Sequence, residues 1–396
     1  MKTAGIICEY NPFHLGHAGH IEKTRQALGD DTAVVCVMSG NYVQRGDFAI
    51  FNKHARAKMA ISGGADLVIE LPSPYVLQSA EGFAEAGVYL LDMLGICNFL
   101  SFGSESGHLD DLFEAAEIIS SEKSHKLTKE WLGKGITYAA AQQKAATALM
   151  GDKAVIFATP NNVLGIEYIK ALKKNNSAMR PVTMQRTGGE HDSDTGYSAS
   201  ALRKMFSDEN IPASLMPETV TGICKDEINS GRGPVFANRS DLAILSRLRS
   251  IDDFSDIPGI SEGLDRRFKR YTATEATVAS ILEKTKTKRY TMSRLRRILM
   301  CAVLKISKVH IQTPPPYIKV LAMNNRGKFL LGKARKKAKL PIITKPASVN
   351  NMNEHAKELF ALEAAATGFY TLFYPNENER KGNLEWLQSP IIIDRS

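Results

Sequence analysis

Apolar positions in the first half of the chain come in short continuous runs separated by stretches of helical period. The runs "TAGIICEY" (Thr3–Tyr10), "TAVVCVMSG" (Thr32–Gly40), "DLVIELP" (Asp66–Pro72), "CNFLSFGSE" (Cys97–Glu105) and "RPVTMQR" (Arg180–Arg186) predict strands. Between them, "KHARAKMAISGG", "SAEGFAEAGVYLLDMLG", "LDDLFEAAEIIS", "TYAAAQQKAATALMG" and "NNVLGIEYIKALKKN" predict helices, with a further helix from about His17. Strands that read as unbroken apolar runs are buried on both faces, so the alternation predicts a parallel sheet covered by helices. A nucleotide site in such a sheet lies at the carboxyl ends of its strands.

The pattern changes after about Asn210. "PETVTGICKDEINSG", "SDLAILSRLRSI", "SEGLDRRFKRY", "TVASILEKTK" and "SRLRRILMCAVLKI" all read as helices. The three prolines of "TPPPYIKVLAMN" stop helix formation and a strand reopens. A helix ("GKFLLGKARKKA"), a strand ("LPIITKPA") and a last helix ("HAKELFALEAAATGFYTLF") follow. The expected organisation is an α/β domain over residues 1–210, a mainly helical region over 211–312 and a small C-terminal α/β element over 313–396.

Charge sharpens this division. The 396-residue chain carries a net +9. Between Gly231 and Leu340 the balance is +17, and over the rest it is −8. So lopsided a segment points to a polyanionic partner, nucleic acid before an anionic membrane surface, with a solvated basic face as the bland alternative. No apolar run approaches the ~18 residues of a membrane span, and no secretory leader is discernible. The five cysteines, 43% hydrophobic and 23% charged residues fit a soluble, reducing, cytoplasmic setting.

The candidate chemistry sits in "GIICEYNPFHLGHAGHIEK", where His14, His17 and His20 recur every three residues. His14 and His17 straddle Gly16 at a strand-to-helix turn and lack the i, i+4 spacing of a helical zinc pair, so no metal ligand is assigned. A strand, a glycine turn and a helix N-terminus make an anion site, to which imidazoles add donors. His20, one turn on, is open between a phosphate contact and a helix-surface position. The form H-x-G-H after a first strand resembles the nucleotidyltransferase superfamily, whose histidines bind ATP phosphates and stabilise the departing pyrophosphate.

The resemblance extends further. "VMSGNYVQRGDFAIFNKHARAKMAISGGADLVIELP", "FGSE", "PNNVLGIEYIKAL", "YSASALRKM", "RYTMSRLRRILMCAVLKI" and "YIKVLAMNNRGKFLLGKARKKAKLPIITK" follow in order. Together they resemble the tRNA(Met) cytidine acetate ligase family. That likeness implies a Rossmann-like fold and activation of free acetate by ATP, with Mg²⁺ on the phosphates. Acetyl-adenylate and pyrophosphate form, and the acetyl group passes to the wobble cytidine of elongator tRNA(Met).

Carried over residue by residue, the ATP site would comprise Ile7, Cys8, Glu9, Tyr10, Asn11, Pro12, Phe13, His14, Leu15, Gly16, His17, Ala18, Gly19 and His20, with Gly103 and Arg186 at strand ends. Asn161 or Asn162 would contact ATP or act as a helix N-cap. His14, His17 and Arg203 would stabilise the leaving pyrophosphate. Gln44 and Arg45 are candidates for acetate or cytidine, against an Arg45–Asp47 pair in a structured loop. Arg289, Arg294, Arg296, Arg297, Arg335, Lys336 and Lys337 would meet tRNA phosphates, and Tyr290 or Tyr271 would stack on a base or pack in the core. No protein nucleophile is required, and the sequence singles out no base for the transfer step. The rival reading is a small-molecule adenylyltransferase that shares H-x-G-H.

Overall fold

The computed structural model describes residues 1–186, 199–261 and 263–394. The expected strands form β1 (Thr3–Cys8), β2 (Ala33–Ser39), β5 (Leu67–Leu71), β6 (Phe99–Ser104) and β7 (Arg180–Gln185), and a short hairpin, β3 (Tyr42–Val43) and β4 (Asp47–Phe48), follows β2. Three later strands, β8 (Ile318–Met323), β9 (Ile342–Ile343) and β10 (Ile391–Ile392), complete the set. The main sheet runs β10-β8-β5-β2-β1-β6-β7, with β9 beside β8. From β5 to β7 it is parallel, and β8 is antiparallel to β5. The expected α/β class with a Rossmann-like parallel sheet is therefore the observed one.

Strand alternation divides the core. Ile7, Val35, Val37, Leu67 and Ile69 face one layer, with the helices Ala80–Leu94 and Pro160–Lys174. Ile6, Val34, Cys36 and Val68 face the other, with the helices α1 (Leu15–Leu28) and α2 (Lys53–Ser62). The chain runs β1, β2, β5 to one side, then crosses back to place β6 and β7 on the other. The switch point lies between β1 and β6, where open sheets of this kind bind ligands.

Residues 313–396 do contain the expected strand and helices, but their strands extend the main sheet. β8 is buried along its whole length, so it needs a partner on its edge and finds β5. A buried ionic network fastens this segment. Lys53 Nζ lies 2.6 Å from Glu70 and 2.7 Å from Glu385, and Lys319 pairs with the same two carboxylates. Glu363 accepts from the Ser73 N–H and hydroxyl.

The helical region forms its own core around Leu248, Phe254, Phe268 and Leu295. That core takes in Tyr42 and Phe48 of the hairpin and Phe369 and Tyr370 of the helix Glu354–Thr371. The hairpin is thus the joint between the nucleotide sheet and the basic helices. A helix at Glu122–Gly133, not foreseen from its polar sequence, precedes Tyr138–Met150. No helix among the described residues is long and apolar enough to cross a membrane.

Candidate active site at the carboxyl edge of the sheet

β1 ends at Cys8 and the chain turns through Glu9–Phe13 into α1, whose N-cap is His14. His14 Nδ1 accepts the Gly16 N–H at 3.0 Å, and His17 Nδ1 accepts the His14 N–H at 3.3 Å. The two rings lie 3.8 Å apart between centroids. With Nδ1 of each ring accepting, the neutral imidazole must carry its proton on Nε2. The motif therefore produces two imidazoles in a defined tautomer at the positive end of a helix. Burial, with the nearby Arg186 charge, lowers the His14 pKa to about 4, which keeps the ring neutral at pH 7.

His20 is not a helix-surface residue. Its Nε2 is 3.0 Å from the Ser101 hydroxyl on β6, and burial, with Arg186 and Lys23, lowers its pKa to about 4. Arg186, just after β7, crosses over Gly103. A Cβ at Gly103 would stand 3.1 Å from Arg186 Cγ, so the glycine gives the arginine its path toward the imidazoles. Arg203, on the helix Ala199–Ser207, donates to the Asn11 carbonyl at 3.1 Å and to the Ser200 hydroxyl at 2.9 Å. His14, His17, Arg186 and Arg203 thus gather around the turn after β1. The Gly- and Asp-rich stretch 187–196 and Ser198 lie outside the described residues.

Neither Asn161 nor Asn162 is the helix N-cap, one of the two alternatives drawn from the sequence. The N-cap of their helix is Thr159, and both asparagines engage the loop after β6. Asn162 Oδ1 accepts the N–H groups of Glu105 and Ser106 at 3.0 and 3.1 Å. The Glu105 carboxylate accepts the Asn161 side-chain amide at 2.7 Å and the Asn162 N–H at 2.8 Å. This reciprocal clamp fixes the Gly103–Ser106 turn and holds the Glu105 carboxyl below the ordinary range. Any ATP contact by these asparagines would have to share that clamp.

The hairpin closes the other side. The Gln44 N–H donates to Glu9 Oε1 at 2.5 Å, and the Gln44 side-chain amide is taken by the Gln78 carbonyl at 3.0 Å. Arg45 is exposed at the tip. Asp47 Oδ1 accepts its neighbour's N–H, and the cations acting on its carboxylate are Arg296 and Arg203. Gly46, at φ +76°, brings the hairpin against the helix Met292–Val303, and a Cβ there would be 2.4 Å from the Arg297 nitrogen.

The basic residues divide. Arg296 is exposed beside the hairpin, while Arg297 is half-buried and Arg294 donates to the Gly259 carbonyl at 2.8 Å. Arg289 lies near Gly135. Tyr290 is buried, with its hydroxyl on the Ser261 carbonyl and Arg294 over its ring, so it packs in the core. Tyr271 is half-buried under Arg267 and Arg270. Arg335, Lys336 and Lys337 are exposed at the end of the helix Asn325–Lys337, which abuts Gly95 before β6. That places them at the amino edge of the parallel strands, opposite the imidazoles.

A model of the HIGH Nucleotidyl Transferase family matches residues 1–385. The tRNA(Met) cytidine acetate ligase of Acetivibrio thermocellus is 38% identical over 99% of this chain and 100% of its own length. That of Caldanaerobacter subterraneus is 39% identical over 95% and 96%. The chain belongs to the tRNA(Met) cytidine acetate ligase family. Apo Thermotoga maritima TmcAL superposes on it with a TM-score of 0.94 at 33% identity, covering 100% of each chain. The crystal structure of that protein bound with alpha-thio ATP gives 0.92 at 34%, again covering 100% of each.

One residue that supports this family's site here escaped sequence reasoning. Arg56, in α2, is fully buried. Its guanidinium donates to the carbonyls of Phe51 and Ser39 at 3.0 and 2.9 Å, and also to those of Glu9 and Gly40. It ties the carboxyl ends of β1 and β2 to one point. A single arginine in "KHARAKMA" reads as an exposed helix position, and only the crossing of two strand ends over it shows otherwise.

Proposed function

We propose that this protein is an ATP-dependent ligase that makes N4-acetylcytidine at the wobble position of elongator tRNA(Met). Acetate attacks the α-phosphate of ATP, pyrophosphate departs, and the cytosine amine takes the acetyl group from acetyl-adenylate with release of AMP. The observation that carries this reading is the pair of tautomer-locked imidazoles, His14 and His17, at the α1 N-terminus, in a chain matching its ligase relatives end to end.

The first step brings two anions together, so it depends on positioning and on charge stabilisation. The Nε2–H edges of His14 and His17, at the positive end of the α1 dipole, would bind the phosphates. Arg186 and Arg203 would take up charge on the leaving pyrophosphate. Mg²⁺ would enter with ATP as part of the substrate and supply charge neutralisation on the phosphates. The Glu9–Gln44 contact would set the wall of the acetate and cytidine side, with Arg45 at the mouth. Of the basic residues, Arg289, Arg294, Arg296 and Arg297 belong to the helical region joined to the hairpin and would meet tRNA close to the anticodon. Arg335, Lys336 and Lys337 would reach only a distant part of the same tRNA.

The test is nucleoside mass spectrometry of elongator tRNA(Met) after incubation with protein, ATP and labelled acetate. Labelled N4-acetylcytidine is expected. ATP–pyrophosphate exchange that ignores acetate and needs a phosphorylated small-molecule acceptor would establish the rival adenylyltransferase.

A further inference from the structure

Acyl transfer to the exocyclic amine of cytosine needs a proton acceptor, because the nitrogen must lose a proton as its bond to carbon forms. Three carboxylates belong to the turn, the hairpin and the loop at the carboxyl edge of the sheet. Glu105 is consumed by the N-terminus of the helix Pro160–Lys174, where donors from Asn161 and Asn162 stabilise its charge. Asp47 takes the Phe48 N–H and faces Arg296 and Arg203. The Nδ1 atoms of His14 and His17 already accept main-chain N–H groups. Glu9, like Asp47, takes one main-chain N–H and has arginines nearby, Arg203, Arg56 and Arg45, but it differs in place, since Asp47 sits on β4 of the hairpin that Gly46 brings against the basic helix. Glu9 is the first residue beyond β1, at the switch point, and a single hydrogen bond from the Gln44 N–H orients its carboxylate toward the hairpin.

We propose that Glu9 is the general base of the acetyl-transfer step. This assignment rests on the ligase reading above. The N4 lone pair attacks the acetyl carbonyl carbon, forming the C–N bond. The bond from that carbon to the adenylate oxygen breaks, and AMP leaves with the electron pair. The proton lost from N4 passes to the Glu9 carboxylate, and water later removes it. No oxidant, reductant or further reactant enters.

Geometry and environment agree on the role. Arg56 holds the Glu9 carbonyl and Gln44 holds one carboxylate oxygen, so the group is fixed at both ends. Burial raises its proton affinity above that of an ordinary glutamate, against the pull of the Gln44 N–H, Arg203, Arg56 and Arg45. The Glu9 charge also reaches Tyr168, on the helix Pro160–Lys174, whose hydroxyl is held protonated by burial. A base works best when its pKa moves toward the working pH, and this environment moves Glu9 in that direction.

The decisive variant is Glu9→Gln, whose side-chain oxygen can still accept the Gln44 N–H but cannot take a proton. Acetate-dependent ATP–pyrophosphate exchange reports the first step, and single-turnover transfer from acetyl-adenylate to elongator tRNA(Met) reports the second. Transfer is expected to fall by ~10²–10⁴, the usual contribution of a general base, and at least tenfold more than exchange. The acidic limb of the wild-type transfer rate against pH should vanish in the variant. Wild-type transfer by Glu9→Gln, or an equal loss in both steps, would overturn the assignment and leave Glu9 a positioning residue. A wild-type protein without acetate-dependent exchange would instead overturn the ligase reading, and the assignment with it.

Discussion

Replacing Gly46 by alanine tests whether the hairpin, held against the basic helix, sets the geometry of the site. Two costs follow from the structure. At φ +76° an alanine sits in the left-handed region, which costs about 1–2 kcal/mol for a residue with a Cβ. The new methyl would also lie 2.4 Å from the Arg297 nitrogen and 2.5 Å from the Arg296 carbonyl carbon, where ordinary contact begins at 3.4 Å. Both neighbours are helix main chain and cannot rotate aside, so the hairpin must retreat by about 1 Å, with an overpacking cost of about 1–3 kcal/mol. Gly46→Ala should therefore lose about 2–5 kcal/mol in urea unfolding. A retreat of that size also shifts Gln44 and loosens its hold on Glu9, and displacements near 1 Å cost about 100-fold in rate. Transfer to tRNA should fall by that order, and exchange by less. Gly332→Ala is the control: it is helical, exposed and has nothing within 4 Å of its Cβ, so it should stabilise by up to ~1 kcal/mol. A Gly46→Ala protein within 0.5 kcal/mol of the parent, transferring at full rate, would refute the reasoning.

His17→Ala should lower acetate-dependent pyrophosphate exchange by about 10²–10³ while tRNA binding in filter assays is unchanged; loss of RNA affinity alone would place the residue elsewhere in the reaction. Glu385→Ala should cost about 3–5 kcal/mol in chemical denaturation, because it strips Lys53 and Lys319 of a shared partner in the interior; a change under about 1 kcal/mol would mean the network is not buried as described. Acid should destabilise the protein through His14 and His20. Each binds a proton more readily unfolded, at about 6.5, than folded, at about 4, so stability is full above pH 6.5 and declines as pH falls toward 4. For His14 the displacement corresponds to about 3 kcal/mol, and His14→Asn should flatten unfolding free energy against pH in that window.

The strands of the main sheet and most helices of the nucleotide half were legible in the sequence because their information is local; the helix Glu122–Gly133 was not, its sequence being polar. Continuous apolar runs at Thr3–Tyr10, Thr32–Gly40 and Asp66–Pro72 can only be buried strands, and the break at "NPFHLGH" can only be the turn into a helix. His14 and His17 were legible for the same reason, since a cap and its third residue meet through four consecutive positions. The hairpin Tyr42–Phe48 was not, because its strands are two residues long and owe their shape to Gly46 meeting a helix some 250 positions later.

What the sequence determined alone was therefore the order of the elements, the imidazole pair and the concentration of positive charge. Tertiary structure decided which charges share a surface: Arg296 comes to the hairpin, Arg335–Lys337 go to the opposite edge, and Arg56 and Lys53 go inside. It also decided that Asn161 and Asn162 clamp Glu105, that His20 meets Ser101, and that β8 and β10 extend a sheet begun about three hundred residues earlier. The reason is physical. Periodicity fixes what a segment buries, but its partner is chosen by competition among all the surfaces left uncovered, and that choice exists only once the whole chain has packed.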